Sequence, residues 1–252
     1  MQPVSGDKKR SLVTADRQSV VAPIRPRPAT PSKIANDAKP VARGPHAERT
    51  AMMRQRLIEA AIACLNKVGY AATTTQLVVE TAGVSRGAIL HHFPAKVDLM
   101  LAVAEYAAGK QNRYVRRRLA DVPEGMDRFL AMTTATWEVM ILPPAQALLE
   151  IMIASRSDPI LAARLPPAIK ALEDQQRDDV WSMAQDLGIT DEAAIQDMIR
   201  LHRAAMRGLA IELVWSGDSE AAERSMRLLN YYKNKLTGEL IIDGRSPLPR
   251  RN

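Results

Sequence analysis

The sequence predicts an all-α protein, and three observations support that prediction. From residue 48 onward apolar side chains recur at helical spacing, the breaks between such segments fall at glycine or proline, and no β-hairpin signal competes. The chain has 252 residues, 46% hydrophobic and 25% charged, so it is long enough to bury a substantial core. Its single cysteine, Cys64, excludes an internal disulfide and a zinc site built from cysteines.

Residues 1–47 form a basic tail, which the sequence predicts to be disordered because it is proline-rich and lacks apolar periodicity. Nine lysines and arginines against three aspartates give it a charge of +6, out of +7 for the whole chain. Such a tail favours a polyanionic partner, most often nucleic acid. Three interpretations stay open: an arm that adds non-specific DNA affinity, a solvated leader, or a wrongly assigned start ahead of Met52 and Met53.

The first helix is indicated by an apolar stripe through Met53, Leu57 and Val68 that ends at Gly69. Five later helices are bounded by prolines and glycines, and one of them begins after Asp158, a suitable N-cap. Their predicted ranges are residues 123–142, 143–156, 159–187, 190–216 and 218–241.

The segment Thr73–Phe93, TTTQLVVETAGVSRGAILHHF, predicts a helix-turn-helix. Thr73 or Thr74 begins a short helix that ends near Gly83, and Ser85 begins a second short helix. In this motif the second helix enters the major groove of DNA.

The residue types around this turn match DNA chemistry. Small residues at the start of the second helix permit close approach to base edges, an arginine reaches a guanine edge or a phosphate, and hydroxyl, imidazole and ammonium groups contact phosphates. Because adjacent side chains on a helix point about 100° apart, the two histidines are a poor chelating pair, and no metal site is predicted. The predicted DNA-binding residues are Thr74, Ser85, Arg86, Gly87, Ala88, His91, His92 and Lys96.

The order of elements from Arg49 to Tyr106 (a helix, GY-x-x-TT, AGVSRG, HHFPAK, D-L) resembles the tetracycline-repressor (TetR) family of transcriptional regulators. The resemblance implies an N-terminal three-helix DNA-binding domain and a larger helical ligand-binding and dimerisation bundle. It also implies a homodimer that binds double-stranded DNA at a palindromic operator and is released by a small-molecule effector. The corresponding ranges are a tail at 1–47, the helix-turn-helix domain at 48–95, the bundle at 96–244 and a C-terminal tail at 245–252.

Three positions depart from the family pattern. Leu90 stands where the family often has a tyrosine that contacts phosphate, and Val79 replaces a small alanine. Ala95 replaces a frequent serine or threonine before the fourth helix, which costs about 1 kcal/mol of capping. None of these changes removes the predicted DNA-binding function.

The last two helices carry apolar stripes that are predicted to pair with a second copy in a symmetric interface. The alternative is that both stripes pack within their own protomer. The first stripe comprises Ile195, Met198, Ile199, His202, Ala205, Met206, Leu209 and Leu213; the second comprises Met226, Leu229, Lys233, Leu236 and Leu240.

A ligand pocket is predicted between the middle helices, where bulky and adaptable side chains are available. Ordinary core packing is the alternative for each candidate, and a histidine on an apolar stripe is more often a hydrogen-bonded core residue. Glu150 is either a polar anchor for a ligand or a solvated residue. The candidates are Trp137, Met140, Leu148, Met152, Trp181, His202 and Met206.

Two other functional classes are weaker. An enzyme would need a nucleophile, base and orienting group, or a paired acid and base, and no such set, phosphate-binding loop, cofactor site or metal cluster is evident. A helical adaptor that binds protein remains the alternative, and sequence-selective, salt-dependent DNA binding separates it from a regulator. No membrane span or secretory signal is found, so the predicted location is the cytoplasm.

Overall fold

The computed structural model describes residues 45–244, and within that range it contains nine α-helices and no strand, as the all-α prediction requires. The predictions for residues 1–44 and 245–252 lie outside the described residues. The helices are α1 Pro45–Ala72, α2 Thr75–Ala82, α3 Arg86–His92, α4 Lys96–Leu119, α5 Met126–Met140, α6 Pro143–Ala154, α7 Pro159–Asp186, α8 Glu192–Ser216 and α9 Ser219–Asp243.

Helix α1 is interrupted at Gly69, where the sequence predicted its end. Gly69 has φ 72° and ψ 177°, a conformation that is strained for any residue with a Cβ atom. The Thr73 hydroxyl closes this turn by donating to the Gly69 carbonyl at 2.7 Å. Leu57 is fully buried, but Val68 is 41% exposed, so the buried stripe ends before the last residue that the pattern assigned to it.

The later helices begin close to their predicted positions because their caps are local. Asp158 is the N-cap of α7, and its Oδ1 accepts hydrogen bonds from Ile160 N at 3.1 Å and Leu161 N at 3.0 Å. Gly217 ends α8 in the left-handed conformation. These caps satisfy backbone groups that a helix leaves unpaired at its ends.

The described helices belong to one compact unit with three apolar clusters. The first cluster joins α1–α4 to α6 and the beginning of α7. The second lies among α4, α5, α7, α8 and α9, and the third among α5, α8 and α9. Helices α1–α3 therefore share a core with α4, α6 and α7, while the boundary between residues 95 and 96 stays a prediction.

The predicted dimer stripes of α8 and α9 pack within their own protomer, which corrects their assignment. Ile195 and Met206 on α8, and Met226 and Leu240 on α9, are at least 94% buried in the single chain. They are covered because α8 packs on α5 and α7 while α9 packs on α5 and α8. Periodicity identifies a buried face but not the element that covers it.

Different apolar side chains of α8 and α9 are exposed. They are Leu201, Ile211, Val214, Trp215, Leu228, Tyr231, Tyr232, Ile241 and Ile242.

Within the described range, none of the helices is by itself apolar and long enough to cross a bilayer. Helices α5 and α6 meet that criterion only together, and they are bent by 80° where they meet.

Candidate functional site

Two caps and one glycine fix the turn between α2 and α3. The Thr74 hydroxyl oxygen accepts from Leu77 N at 3.1 Å, and the Ser85 hydroxyl oxygen accepts from Ala88 N at 3.3 Å. Gly83 adopts φ 63° and ψ 44°, the left-handed conformation that ends α2 and turns the chain toward α3. Both hydroxyl groups keep their own hydrogen available for a phosphate oxygen.

Helix α3 is anchored by its apolar face and presents its polar face to solvent. Ile89 and Phe93 are 1% and 2% exposed in the first apolar cluster. Of the eight predicted DNA-binding residues, five are exposed and three are half-buried. The exposed ones are Thr74, Ser85, Arg86, Gly87 and His91; the half-buried ones are Ala88, His92 and Lys96.

Lys96 is held by its own chain. Its ammonium donates to the Tyr70 carbonyl at 2.7 Å and lies 4.1 Å from the centroid of the Tyr70 ring. Burial lowers the pKa of Lys96, and the nearby carboxylate of Asp158 opposes that lowering. An ammonium has three N–H donors, so the bond to the Tyr70 carbonyl leaves donors for a phosphate oxygen. A phosphate contact by Lys96 stays a prediction.

The two adjacent histidines are edge-to-face, with ring centroids 5.2 Å apart and planes at 72°. Burial lowers the pKa of His92, and the charges of His91 and Arg54 lower it further. Among residues 45–244, no group of three or more histidine, cysteine or acidic side chains is arranged to hold a metal ion.

The departures from the family pattern have local consequences. Ala95 supplies no side-chain cap to α4, but its backbone N–H donates to Asp98 Oδ2 at 3.0 Å. Asp98, at the third position after the N-cap, also pairs with Arg164 at 2.8 Å. Leu90 is 52% exposed, so its side chain lies on the outer side of α3 without a polar group.

A cavity of about 90 Å³ lies among α4–α9. Five of the seven predicted pocket residues line it, whereas Trp137 packs in the third apolar cluster and Trp181 against the second. Most of the lining is apolar, with threonine and amide groups of α4, α5 and α7 interspersed. The five lining residues are Met140, Leu148, Met152, His202 and Met206.

The cavity also contains charged groups that are not among the residues predicted to line it. Lys233 of α9 and Arg203 and Arg207 of α8 line it together with Glu173 of α7. Lys233 had been placed only on an apolar stripe. A lysine at such a position is the signal that indicates a buried charge.

Glu150 is neither a cavity-lining residue nor simply solvated. Its Oε2 accepts from the backbone N–H of Tyr70 at 3.3 Å, next to the break at Gly69. The Tyr70 hydroxyl in turn donates to Asp158 Oδ2 at 2.7 Å, and this bond and burial raise the pKa of Tyr70. We call the contacts of Tyr70 with Lys96, Glu150 and Asp158 the Tyr70 junction; they join the end of α1 to α4, α6 and α7.

Comparisons with known proteins agree with this architecture. Residues 57–103 match the family model described as "Bacterial regulatory proteins, tetR family". The HTH-type transcriptional regulator CymR of Pseudomonas putida is 31% identical over 182 residues, covering 71% of this chain and 87% of CymR. The HTH-type transcriptional repressor AcnR of Corynebacterium diphtheriae is 28% identical over 183 residues, covering 71% of this chain and 90% of AcnR.

Solved structures share the fold. Salmonella enterica GusR superposes with a TM-score of 0.54 at 23% identity, covering 76% of this chain and 96% of GusR. The fatty acid degradation regulator FadR of Bacillus halodurans gives a TM-score of 0.58 at 12% identity, covering 79% and 97%. These low identities establish the fold alone, whereas the similarity to CymR spans most of both chains. Because the family model covers the helix-turn-helix and the similarity to CymR spans most of both chains, this chain belongs to the TetR family of DNA-binding transcriptional regulators.

Proposed function

We propose that the protein is a dimeric repressor that binds a palindromic operator and is released by a small apolar or amphipathic molecule bound in the cavity. The exposed polar face of α3, beside the Thr74 cap, is the observation that carries this proposal. Arg86 is the one basic side chain in the first turn of α3 and is exposed. It is placed to read a guanine edge, while Thr74, Ser85 and His91 hold phosphates.

A second copy is proposed to cover the exposed face of α8 and α9. On α8 the exposed residues Leu201, Ala204, Gly208, Ile211 and Trp215 follow spacings of three and four. On α9 the same spacing relates residues 228, 231, 235, 238 and 242. Such seams pack against each other in helical interfaces, and small residues allow the helices to approach closely. A two-fold dimer presents two α3 helices to successive major grooves.

Helix α6 is proposed to carry the ligand signal to the DNA-binding helices. Met152 of α6 lines the cavity, while the carbonyl of Pro143 accepts from Asn66 Nδ2 at 2.9 Å. Glu150 of the same helix accepts from Tyr70 N. A ligand that displaces α6 therefore displaces the end of α1, and with it the spacing of the two α3 helices. The ligand shifts the dimer from the arrangement that fits the operator to the one that does not only if it binds the second arrangement more tightly.

Selection of bound sequences from random duplex DNA tests the proposal. We expect a palindromic winner with half-sites about one helical turn apart, bound by two chains per duplex. Binding should weaken as salt rises, because counterions are released from the phosphates. Enrichment of no sequence by a folded dimer would contradict the proposal and leave the helical adaptor as the better explanation.

The dimer surface is tested separately. Trp215→Glu combined with Tyr231→Glu places charges on two side chains that are 86% and 60% exposed in the single chain. We expect sedimentation of a monomer and loss of operator binding, because charges are disfavoured at the centre of an interface. Gln185→Glu, an exposed position on α7, is the control. A double variant that sediments as the parent does would refute this interface.

A further inference from the structure

Lys233 is buried in the bundle without an acidic partner. It is 3% exposed, and its ammonium donates to the Phe129 carbonyl and to the Thr133 hydroxyl, the latter at 3.1 Å. The Phe129 ring centroid lies 4.3 Å away. Within residues 45–244, no carboxylate lies within ion-pair distance of Lys233, and burial alone lowers its pKa to about 7. A buried ammonium without a counter-ion is costly, and such a group in a cavity wall is a candidate for a functional site.

His202 provides a second, independent observation at the same cavity. It is 8% exposed, its Nδ1 donates to the Met198 carbonyl at 2.8 Å, and its Nε2 has no hydrogen-bond partner. Burial lowers the pKa of His202 and Lys233 lowers it further, although the Met198 and Leu229 carbonyls oppose this. Buried polar atoms are almost always satisfied, and Nε2 makes no well-formed hydrogen bond, so this nitrogen is available to a ligand in the cavity.

The charges around the cavity favour an anion. Three basic side chains, Lys233, Arg203 and Arg207, face a single carboxylate, Glu173. Glu173 is shared between Arg203 at 3.2 Å and Arg207 at 3.8 Å, so it is not available to Lys233. With all of these groups ionised the cavity wall carries a net charge of +2, and Lys233 is the basic group that has no carboxylate partner. The surrounding methionine, leucine, isoleucine and valine side chains suit an apolar body.

We infer that the cavity binds a small apolar carboxylate, whose carboxylate group accepts a hydrogen bond from the Lys233 ammonium and, when the His202 ring takes up a proton, a second one from His202 Nε2. This inference rests on the proposed function, because it names the chemical class of the effector. The cavity of about 90 Å³ is several times larger than the space one water molecule needs. A charge-assisted hydrogen bond in a buried site then supplies much of the binding specificity.

Binding of the carboxylate is coupled to uptake of a proton. A negative charge raises the pKa of both neighbouring bases, Lys233 and His202. The other ionisable groups that face them are Arg203, Arg207 and Glu173; α4, α5 and α6 contribute only amide, hydroxyl and apolar side chains. Near pH 8.5 the free protein holds Lys233 mainly neutral, so we expect about one proton per carboxylate bound for Lys233, and up to one more where His202 is also protonated.

The probes are hexanoate and benzoate, each compared with its uncharged amide, on the full chain without DNA. Calorimetric titration gives the dissociation constant, and repeating it in two buffers with different ionisation heats gives the proton uptake. The variant is Lys233→Met, which fills the site with an apolar side chain of similar length. The control is Lys67→Met, which replaces an exposed lysine of α1.

We expect a carboxylate to bind the parent and Lys67→Met equally, and to bind Lys233→Met about tenfold more weakly or worse. Amide binding and its lack of proton uptake should be the same in all three proteins. Failure of both carboxylates to bind the parent, or equal binding by Lys233→Met, would overturn the inference. If Lys233→Met does not fold, proton uptake by the parent decides, and uptake near zero refutes it.

The inference and the proposed function fail differently. A carboxylate that binds through Lys233 but leaves the operator complex intact supports the site and contradicts the effector role. Release of the operator by an uncharged molecule, undiminished in Lys233→Met, supports the regulator and contradicts the carboxylate site.

Discussion

The Tyr70 junction and the cavity each hold a lysine in the same way, yet the two lysines differ in their surroundings. Lys96 donates to the carbonyl of Tyr70 and lies over its ring, and Lys233 does the same with Phe129. The ammonium-to-centroid distances are 4.1 and 4.3 Å. Lys96 is half-exposed beside the carboxylate of Asp158, whereas Lys233 is buried with no carboxylate near it.

This difference separates a structural contact from a binding group. At the junction the ring, the carbonyl and a nearby negative charge stabilise the ammonium, so the lysine ties α1 to α4. In the cavity the same ring and carbonyl do not offset the loss of hydration, and the pKa of Lys233 falls to about 7. The contacts with a ring and a carbonyl are the same for both lysines. The degree of burial and the presence of a nearby carboxylate therefore distinguish the structural role of Lys96 from the binding role of Lys233.

The largest expected effect is on the pH dependence of stability in Lys233→Met. The pKa of Lys233 is about 7 when folded and 10.5 when unfolded, so the unfolded chain binds more protons between these values. The free energy of unfolding of the parent should therefore rise with pH across that window, by up to about 1.4 kcal/mol per pH unit. Relative to the parent, Lys233→Met should be most stable near pH 7 and lose that advantage towards pH 10.

Urea unfolding at several pH values measures this effect. Lys96→Met is the comparison, and we expect it to lose stability by about 1 kcal/mol, because it removes a paired and hydrogen-bonded group. If the free energy of unfolding depended on pH in the same way for the parent and Lys233→Met, Lys233 would be hydrated in the folded protein. The contrast between Lys233 and Lys96 would then disappear.

Asp158→Ala should cost about 2 kcal/mol of stability. It removes the cap of α7 and leaves the Tyr70 hydroxyl without its acceptor. Asp158→Asn is the control because it keeps a capping oxygen. The Leu161 N–H, followed by the Tyr70 hydroxyl, lowers the pKa of Asp158, so the contribution of its charge is present above about pH 4 and lost as pH falls through the folded pKa.

Thermal and urea unfolding at neutral and acid pH distinguish the two variants. An alanine variant as stable as the asparagine variant would mean that water replaces the cap and that Asp158 does not support the Tyr70 junction.

Tyr70→Phe should have the smallest effect, a loss of about 1 kcal/mol, since only the hydroxyl-to-Asp158 hydrogen bond is removed. The ring under Lys96 and the backbone bond to Glu150 remain. Combining Tyr70→Phe with Asp158→Ala in a double-mutant cycle measures the coupling between the two side chains. If the stability losses of the two single variants simply added in the double variant, the bond between Tyr70 and Asp158 would not stabilise the Tyr70 junction.

The helix-turn-helix was predictable because its determinants are local. Thr74 and Ser85 each cap a backbone N–H three residues ahead, and Gly83 supplies the turn between them. The junction and the cavity depend on contacts between distant parts of the chain. Tyr70 and Asp158 are 88 residues apart, and Lys233 bonds to groups 104 and 100 residues away. Patterns of apolar spacing contain no information on such pairings.

The stripes of α8 and α9 also show that apolar spacing does not identify the partner of a buried face. The sequence correctly identified Ile195 and Met226 as buried, but it assigned their cover to a second copy. In the structure α5 and α7 cover Ile195 on α8, and α5 and α8 cover Met226 on α9. The face that is left for a partner carries Ile211, Trp215 and Tyr231, which no argument from the buried stripe would select.

Arg86→Ala tests the central claim, that α3 reads DNA, most directly. The measurement is a titration of the selected duplex with the parent, Arg86→Ala and the control Lys170→Ala, which removes one exposed charge from α7. We predict that Arg86→Ala binds about 10- to 100-fold more weakly, equivalent to about 1–3 kcal/mol, while Lys170→Ala binds as the parent does. Equal affinity of Arg86→Ala and the parent for that duplex would contradict the claim.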